Sequence, residues 1–146
     1  MLEAWESGRF RTYPNLPGWA GKYAWSLLLT PGWRDLQQLP LNKVVAAQWS
    51  AAVRILLDDL ERIPLQRRRV VRYDDLLHDP DAEMRRLCAG LDIIWDRTLG
   101  KELPLSSYTV SAPKAEKWRA RAGEIEAVLP GLESLMSRAA SFAAQK

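Results

Sequence analysis

Val70-Val71-Arg72-Tyr73-Asp74-Asp75-Leu76-Leu77-His78-Asp79-Pro80, continued by Glu83-Met84-Arg85-Arg86-Leu87-Cys88, is the stretch on which the reading of this chain turns. Val70, Val71 and Tyr73 favour extended backbone, so a strand is predicted over 69–73. Asp79 then stands where a helix N-cap belongs. Pro80 follows at the first helical position, and Asp81 and Glu83 lie near the positive end of the dipole. A helix over 80–91 is expected, with Met84, Leu87, Cys88 and Leu91 on one face. One strand cannot make a sheet, so the partners of 69–73 are expected elsewhere.

Upstream, 41–63 carries the clearest helical period. Val45, Trp49, Ala52, Val53, Leu56, Leu60 and Ile63 recur at three- and four-residue steps, and Pro64 ends the run. Residues 1–40 read differently. Leu2 to Gly8 resembles the last turns of a helix, with Gly8 as its stop. Four of the seven tryptophans, Trp5, Trp19, Trp25 and Trp33, then fall among Pro14, Pro17, Gly18, Gly21, Pro31 and Gly32. That mixture forbids a long regular element and predicts an ordered loop pinned by aromatic rings. Two roles stay open for these indoles, packing the loop onto the body or walling an acceptor pocket. Downstream, 93–107 reads as loop and 114–142 as C-terminal helices broken near Pro130.

Composition narrows the function little. The chain of 146 residues is 47% apolar and 27% charged, which suits one domain or a piece of one. Its 21 basic and 18 acidic residues leave +3, too weak a bias to require a nucleic acid or membrane partner. Cys88 is the single cysteine, which rules out an intrachain disulfide and a thiolate metal cluster. No apolar run approaches the roughly 20 residues of a membrane helix, and nothing near Met1 reads as a signal peptide. A cytoplasmic location is the resulting expectation.

Familiar catalytic patterns are absent from the sequence. The eight glycines never form a phosphate cradle followed by Lys and Ser or Thr. One histidine and one cysteine make no common metal site. His78 reads as a solvated loop residue, and Cys88 as a small buried apolar one. Asp58-Asp59 and Asp74-Asp75 are adjacent acids whose side chains diverge, so neither reads as a shared-proton dyad. The run Arg67, Arg68, Arg69 and Arg72 reads as a solvated face or a strand-end guard, with phosphate contact as the rival.

The stretch from Val70 to Cys88 resembles the "VRYEDLLADP…ELRRLC" segment of bacterial sulfotransferases. Ala4-Trp5, Gly8-Arg9-Phe10 and Tyr13-Pro14-Asn15-Leu16-Pro17-Gly18-Trp19 are similar to the segment after that family's donor 3′-phosphate motif. Trp25-Ser26-Leu27-Leu28-Leu29 with Pro31-Gly32-Trp33-Arg34 resembles its continuation, and Lys117-Trp118-Arg119 its late tryptophan-plus-basic pair.

The resemblance implies an α/β fold, the C-terminal part of a P-loop nucleotide-kinase-like sulfotransferase, mostly helical here with one strand at 69–73. It places 1–146 within a single sulfotransferase domain, with 1–40 as an aromatic acceptor-side loop. The implied reaction moves a sulfuryl group from adenosine 3′-phosphate 5′-phosphosulfate (PAPS) to an acceptor hydroxyl or amine, without a metal. Tyr73 is then expected beside the donor's adenine, with Lys114, Lys117 and Arg119 near its 3′-phosphate. The family's glycine step beside that basic loop is lacking in Ser111-Ala112-Pro113-Lys114. Trp19, Trp25 and Trp33 are the expected acceptor-binding residues, for a small-molecule, carbohydrate or lipid acceptor. The family's donor loop and its usual base have no counterpart here, so the chain is expected to need a missing N-terminal half and to be inactive alone. The rival readings are a catalytically dead binding or regulatory fragment of this fold and a helical nucleic-acid module.

Overall fold

A computed structural model describes residues 1–145. Helix α1 (Leu2–Ser7) ends at Gly8, whose φ of 64° is the left-handed cap geometry that glycine adopts without a Cβ penalty. A short hairpin follows, β1 (Arg11–Tyr13) antiparallel to β2 (Trp25–Ser26). The long helix α2 (Leu41–Glu61) is the backbone of the molecule. After it come α3 (Tyr73–His78), α4 (Pro80–Ala89), α5 (Ala122–Glu126) and α6 (Glu133–Ala143). Single 3-10 turns at Trp33–Leu36, Leu65–Arg67, Lys117–Arg121 and Leu129–Gly131 join them.

The main core gathers where α1, the hairpin and the start of α2 meet. Trp5, Trp25, Trp33 and Val44 are buried there, with Leu16, Trp19, Tyr23, Leu27, Leu36, Leu41 and Val45 packed around them. The rings meet edge to face, Trp25 with Trp19 at 4.9 Å and with Trp5 at 5.2 Å between centroids, the geometry their quadrupoles favour. Gly21 lies so close under the Trp19 indole that a Cβ would sit 2.2 Å from the ring. One polar side chain runs through this core. Gln48, fully buried on α2, accepts from Trp5 Nε1 (3.1 Å) and donates to the carbonyls of Ser26 (2.9 Å) and Leu28 (2.6 Å). Those bonds grip a turn in which Leu27 holds a left-handed φ of 64°, a strained conformation for a leucine.

The expected stripe on α2 is half-buried at Val45, Trp49, Ala52, Val53 and Leu60, but the deepest positions lie beside it. Val44, Gln48 and Leu57 are the buried positions, whereas Leu56 is 54% exposed. Counting apolar residues passes over a glutamine, and here the glutamine marks the core side. On a neighbouring flank α6 packs against α2, and Arg138 bridges Asp58 and Glu61, each at 2.7 Å.

The strand expected at 69–73 is corrected. Arg68 and Arg72 do have extended backbone, but no described segment pairs with 68–72, and without a ladder there is no strand. Tyr73 opens α3 instead, with Asp74 and Asp75 in the first turn, where the helix dipole favours carboxylates. The N-cap at Asp79 has the expected form. Its side chain accepts from Ala82 N at 3.0 Å, and Pro80 opens α4. Cys88 is buried and unpaired by any disulfide. Among the described residues no helix is long and apolar enough to cross a membrane.

Candidate functional site

Tyr73, at the first position of α3, presents its ring to solvent and is 70% exposed. The extended approach from Arg68 to Arg72 sets it there, and Arg86, donating to the Val70 carbonyl at 2.7 Å, ties that approach to α4. Glu83 in turn holds Arg86 by a double hydrogen bond, which raises the affinity of the guanidinium for its proton. The ring is therefore available for stacking rather than committed to a core.

The basic run beside it is largely used in holding the fold together. Arg68 donates to the Leu60 carbonyl and to Gln145, and its guanidinium lies 4.5 Å from the Phe142 ring centroid. Arg69 donates to the carbonyls of Leu65 and Arg68, both at 2.7 Å. Arg68 thus closes the end of α2 against α6, and Arg69 holds the turn between Leu65 and Arg68.

Lys114, Lys117 and Arg119 come together on one segment, but their environments differ. Lys114 is exposed and borders a shallow hollow with Ser111, Ala112, Glu116, Lys117 and Ala120. Arg119 is exposed and pairs with its neighbour Glu116 at 2.8 Å. Lys117 is taken by Glu3 of α1 at 2.5 Å and also donates to the Ser111 carbonyl at 3.3 Å. Glu3 accepts from the Ser111 hydroxyl at 2.6 Å as well. The Lys117 ammonium, then the Ser111 hydroxyl, hold the Glu3 carboxyl below its ordinary value. One helical turn further, Glu6 takes Arg121 at 2.5 and 2.9 Å, and Glu124 binds the other side of the same guanidinium. Tyr73 lies on α3, apart from this segment.

Of the three expected acceptor tryptophans, two are withdrawn into the core. Trp25 is 0% exposed, and its Nε1 is bonded to the Leu28 carbonyl at 3.0 Å. Trp33 is buried with the Arg34 guanidinium 4.3 Å from its ring centroid. Their role is packing, because a sealed ring offers no surface to a ligand. Trp19 is half-buried and borders a cleft of about 770 Å³, together with Lys22, Tyr23, Gln37 and Gln38. Trp19 Nε1 donates to the Tyr23 carbonyl at 2.8 Å, and Gln37 Oε1 accepts from Ala20 N at 3.2 Å, so this wall is built before any ligand arrives.

Glu3, Glu6, Gln37 and Gln48 are absent from the residues expected from sequence. Glu3 and Glu6 had a legible signal: three residues apart on a helix, they share a face that matches Lys117 and Arg121 at four. Among the described residues no group of acids, histidines and cysteines could hold a metal ion.

The model of the sulfotransferase family matches residues 22–97, which include Trp25, Trp33, α2 and the stretch from Val70 to Cys88. Protein-tyrosine sulfotransferase A of Caenorhabditis elegans is 32% identical over 77 residues, covering 48% of this chain and 20% of that protein. The chain therefore spans about a fifth of the length of that relative. No solved structure matches the chain significantly.

Proposed function

This chain belongs to the sulfotransferase family, and we propose that it forms the acceptor-side and nucleotide-flanking portion of an enzyme that moves a sulfuryl group from PAPS to an acceptor hydroxyl or amine. The observation that carries this reading is the family match over 22–97, which takes in Trp25, Trp33 and Val44 of the core and the helix opened by Tyr73. The parallel-sheet, nucleotide-kinase-like architecture of the whole enzyme is part of the same proposal.

The residues fit the donor in two places. The exposed Tyr73 ring can stack on a purine, and Lys114 and Arg119 offer cations to a phosphate monoester. PAPS supplies the activated sulfuryl group when bound. What the protein must add is positioning and stabilisation of developing negative charge, since sulfuryl transfer, like phosphoryl transfer, asks for little covalent chemistry. Trp19, Tyr23 and the amides of Gln37 and Gln38 form a wall suited to a ring-bearing acceptor. The phenol in the name of the nematode relative is one such group.

These 146 residues contain no glycine-rich cradle for the sulfate-bearing phosphate, so the chain by itself is proposed to bind nucleotide weakly and to turn nothing over. The test uses labelled PAPS with a panel of tyrosine peptides, small phenols and sugars. The expected result is no transfer above a heat-killed control, together with measurable calorimetric binding of adenosine 3′,5′-bisphosphate. Transfer above the control would overturn the proposed inactivity. No bisphosphate binding at millimolar concentration would overturn the nucleotide-flanking reading.

A further inference from the structure

The segment from Leu91 to Glu116 contains no helix or strand, yet its end is held in one place. Three links from the N-terminal turns hold it. Arg9 donates to the Thr109 carbonyl at 2.7 Å, Glu3 takes both Ser111 and Lys117, and Glu6 takes Arg121 through two hydrogen bonds. Between these links lies a groove of about 620 Å³, lined by Met1, Leu2, Val45, Trp118 and Ile125 among others. The links therefore stand at the rim of an apolar seam, to which the segment contributes the half-exposed Trp118.

We propose that Glu3 and Glu6 form a carboxylate clamp that positions the basic segment 111–121. Lys117 and Arg121 are its tethers, and Lys114 and Arg119 are left to meet a phosphate monoester. The division follows from donor capacity. Arg121 spends its planar fork on two carboxylates, and Lys117 spends two donors on Glu3 and the Ser111 carbonyl. Lys114 belongs to no salt bridge among the described residues, and Arg119 has a solvent-exposed partner that an anion can displace. The anion-binding part of this inference rests on the nucleotide-flanking reading above. It departs from the sequence-based expectation by making Lys117 a positioning residue rather than a phosphate ligand.

The clamp and plain electrostatics predict opposite signs. The double substitution Glu3→Gln with Glu6→Gln removes two negative charges beside a basic segment. Charge alone then predicts tighter anion binding. The clamp predicts weaker binding, because a loosened segment must be ordered again at each encounter. Calorimetric titration with adenosine 3′,5′-bisphosphate and hydrogen exchange of the 111–121 amides are run on the same protein. The expected outcome is roughly threefold weaker binding, with amide protection in 111–121 falling by about tenfold. The exchanged pair Glu3→Lys with Lys117→Glu keeps net charge and restores the bridge, and is expected to recover both readings. Tighter or unchanged binding in the double variant would overturn the positioning role, and unchanged protection would overturn the clamp itself. If the unsubstituted chain binds no bisphosphate, the nucleotide reading fails while the exchange data still decide whether the clamp exists.

Discussion

The aromatic region around Trp25 and the basic segment around Lys117 are both pinned to α1, but by opposite means. In the first, Trp5 goes inside, and its indole N–H is satisfied by a glutamine that is itself buried. In the second, the outward face of the same helix offers Glu3 and Glu6 to cations that remain near water. Burial contributes roughly 25 cal/mol for each square ångström of apolar surface removed from water and is not screened by salt. Exposed ion pairs contribute little and yield to salt and acid. One six-residue helix therefore carries a permanent joint on one face and a releasable joint on the other. The releasable joint holds the residues proposed to meet the donor.

Breaking the permanent joint should cost most. Trp25→Ala empties the centre of the ring cluster and is expected to lose about 3–5 kcal/mol of stability in a denaturant melt. A loss well under that range would mean that the tryptophans do not form one packed unit. Gln48→Leu comes next. It strands Trp5 Nε1 and takes the Gln48 bond from the Ser26 carbonyl, while the Leu28 carbonyl keeps its bond from Trp25 Nε1. Leaving a buried polar group unpaired costs about 1–3 kcal/mol, and the Leu27 turn loses its grip at the same time. A Gln48→Leu protein as stable as the original would show that hydrogen bonding there is incidental to the burial.

Much of this was legible from the chain. The long helix announced itself by period, and Asp79-Pro80 by its chemistry as a cap, because both signals are local. Packing by the tryptophans was legible as a class of role, but the choice among them was not. Trp19 and Trp25 are equally aromatic in sequence, and only the hairpin places one in the centre and the other at a cleft. Gln48 was passed over because its value lies in partners 22 and 43 residues away. The strand at 69–73 failed for a related reason. Val70 and Val71 do prefer extended backbone, but a strand is a relation between two segments, and the second is not among the described residues. The shared face of Glu3 and Glu6 was a legible signal, but it does not single out partners 114 and 115 residues away, because a matching spacing is one of many.

Acid should separate the two joints without any mutation. The Glu3 carboxyl titrates below its ordinary value of 4.5 because Lys117, then Ser111, favour its charged form. A depressed native value means that the contribution is complete above the unfolded value and is lost as pH falls through the native one. Glu124, lowered by Arg121, has the same sign. Amide protection in 111–121, corrected for intrinsic exchange, is therefore expected to fall on going from about pH 6 to about pH 3. Protection around Val44 to Gln48 should outlast it, since Trp5, Trp25 and Gln48 carry no titratable group. Simultaneous loss in both regions would show that the segment and the core unfold as one unit.

The smallest expected change in stability is at Tyr73, and it is the most useful for the proposed function. With its ring 70% exposed, Tyr73→Ala should shift stability by no more than about 0.5 kcal/mol, the usual range for a surface position. Helix propensity even favours the alanine at the start of α3. A core tyrosine would behave in the opposite way, with a loss several times larger on truncation. If the ring stacks on the donor's adenine, the same substitution should weaken adenosine 3′,5′-bisphosphate binding by about 1–3 kcal/mol, by analogy with bases stacked on aromatic side chains. Tyr73→Phe keeps the ring and drops only the hydroxyl, so it should retain nearly all of that affinity. Loss in both variants would assign the contact to the hydroxyl rather than the ring face. Unchanged affinity in Tyr73→Ala would remove Tyr73 from the donor site, and the basic segment would then be the part of this chain left to hold the nucleotide.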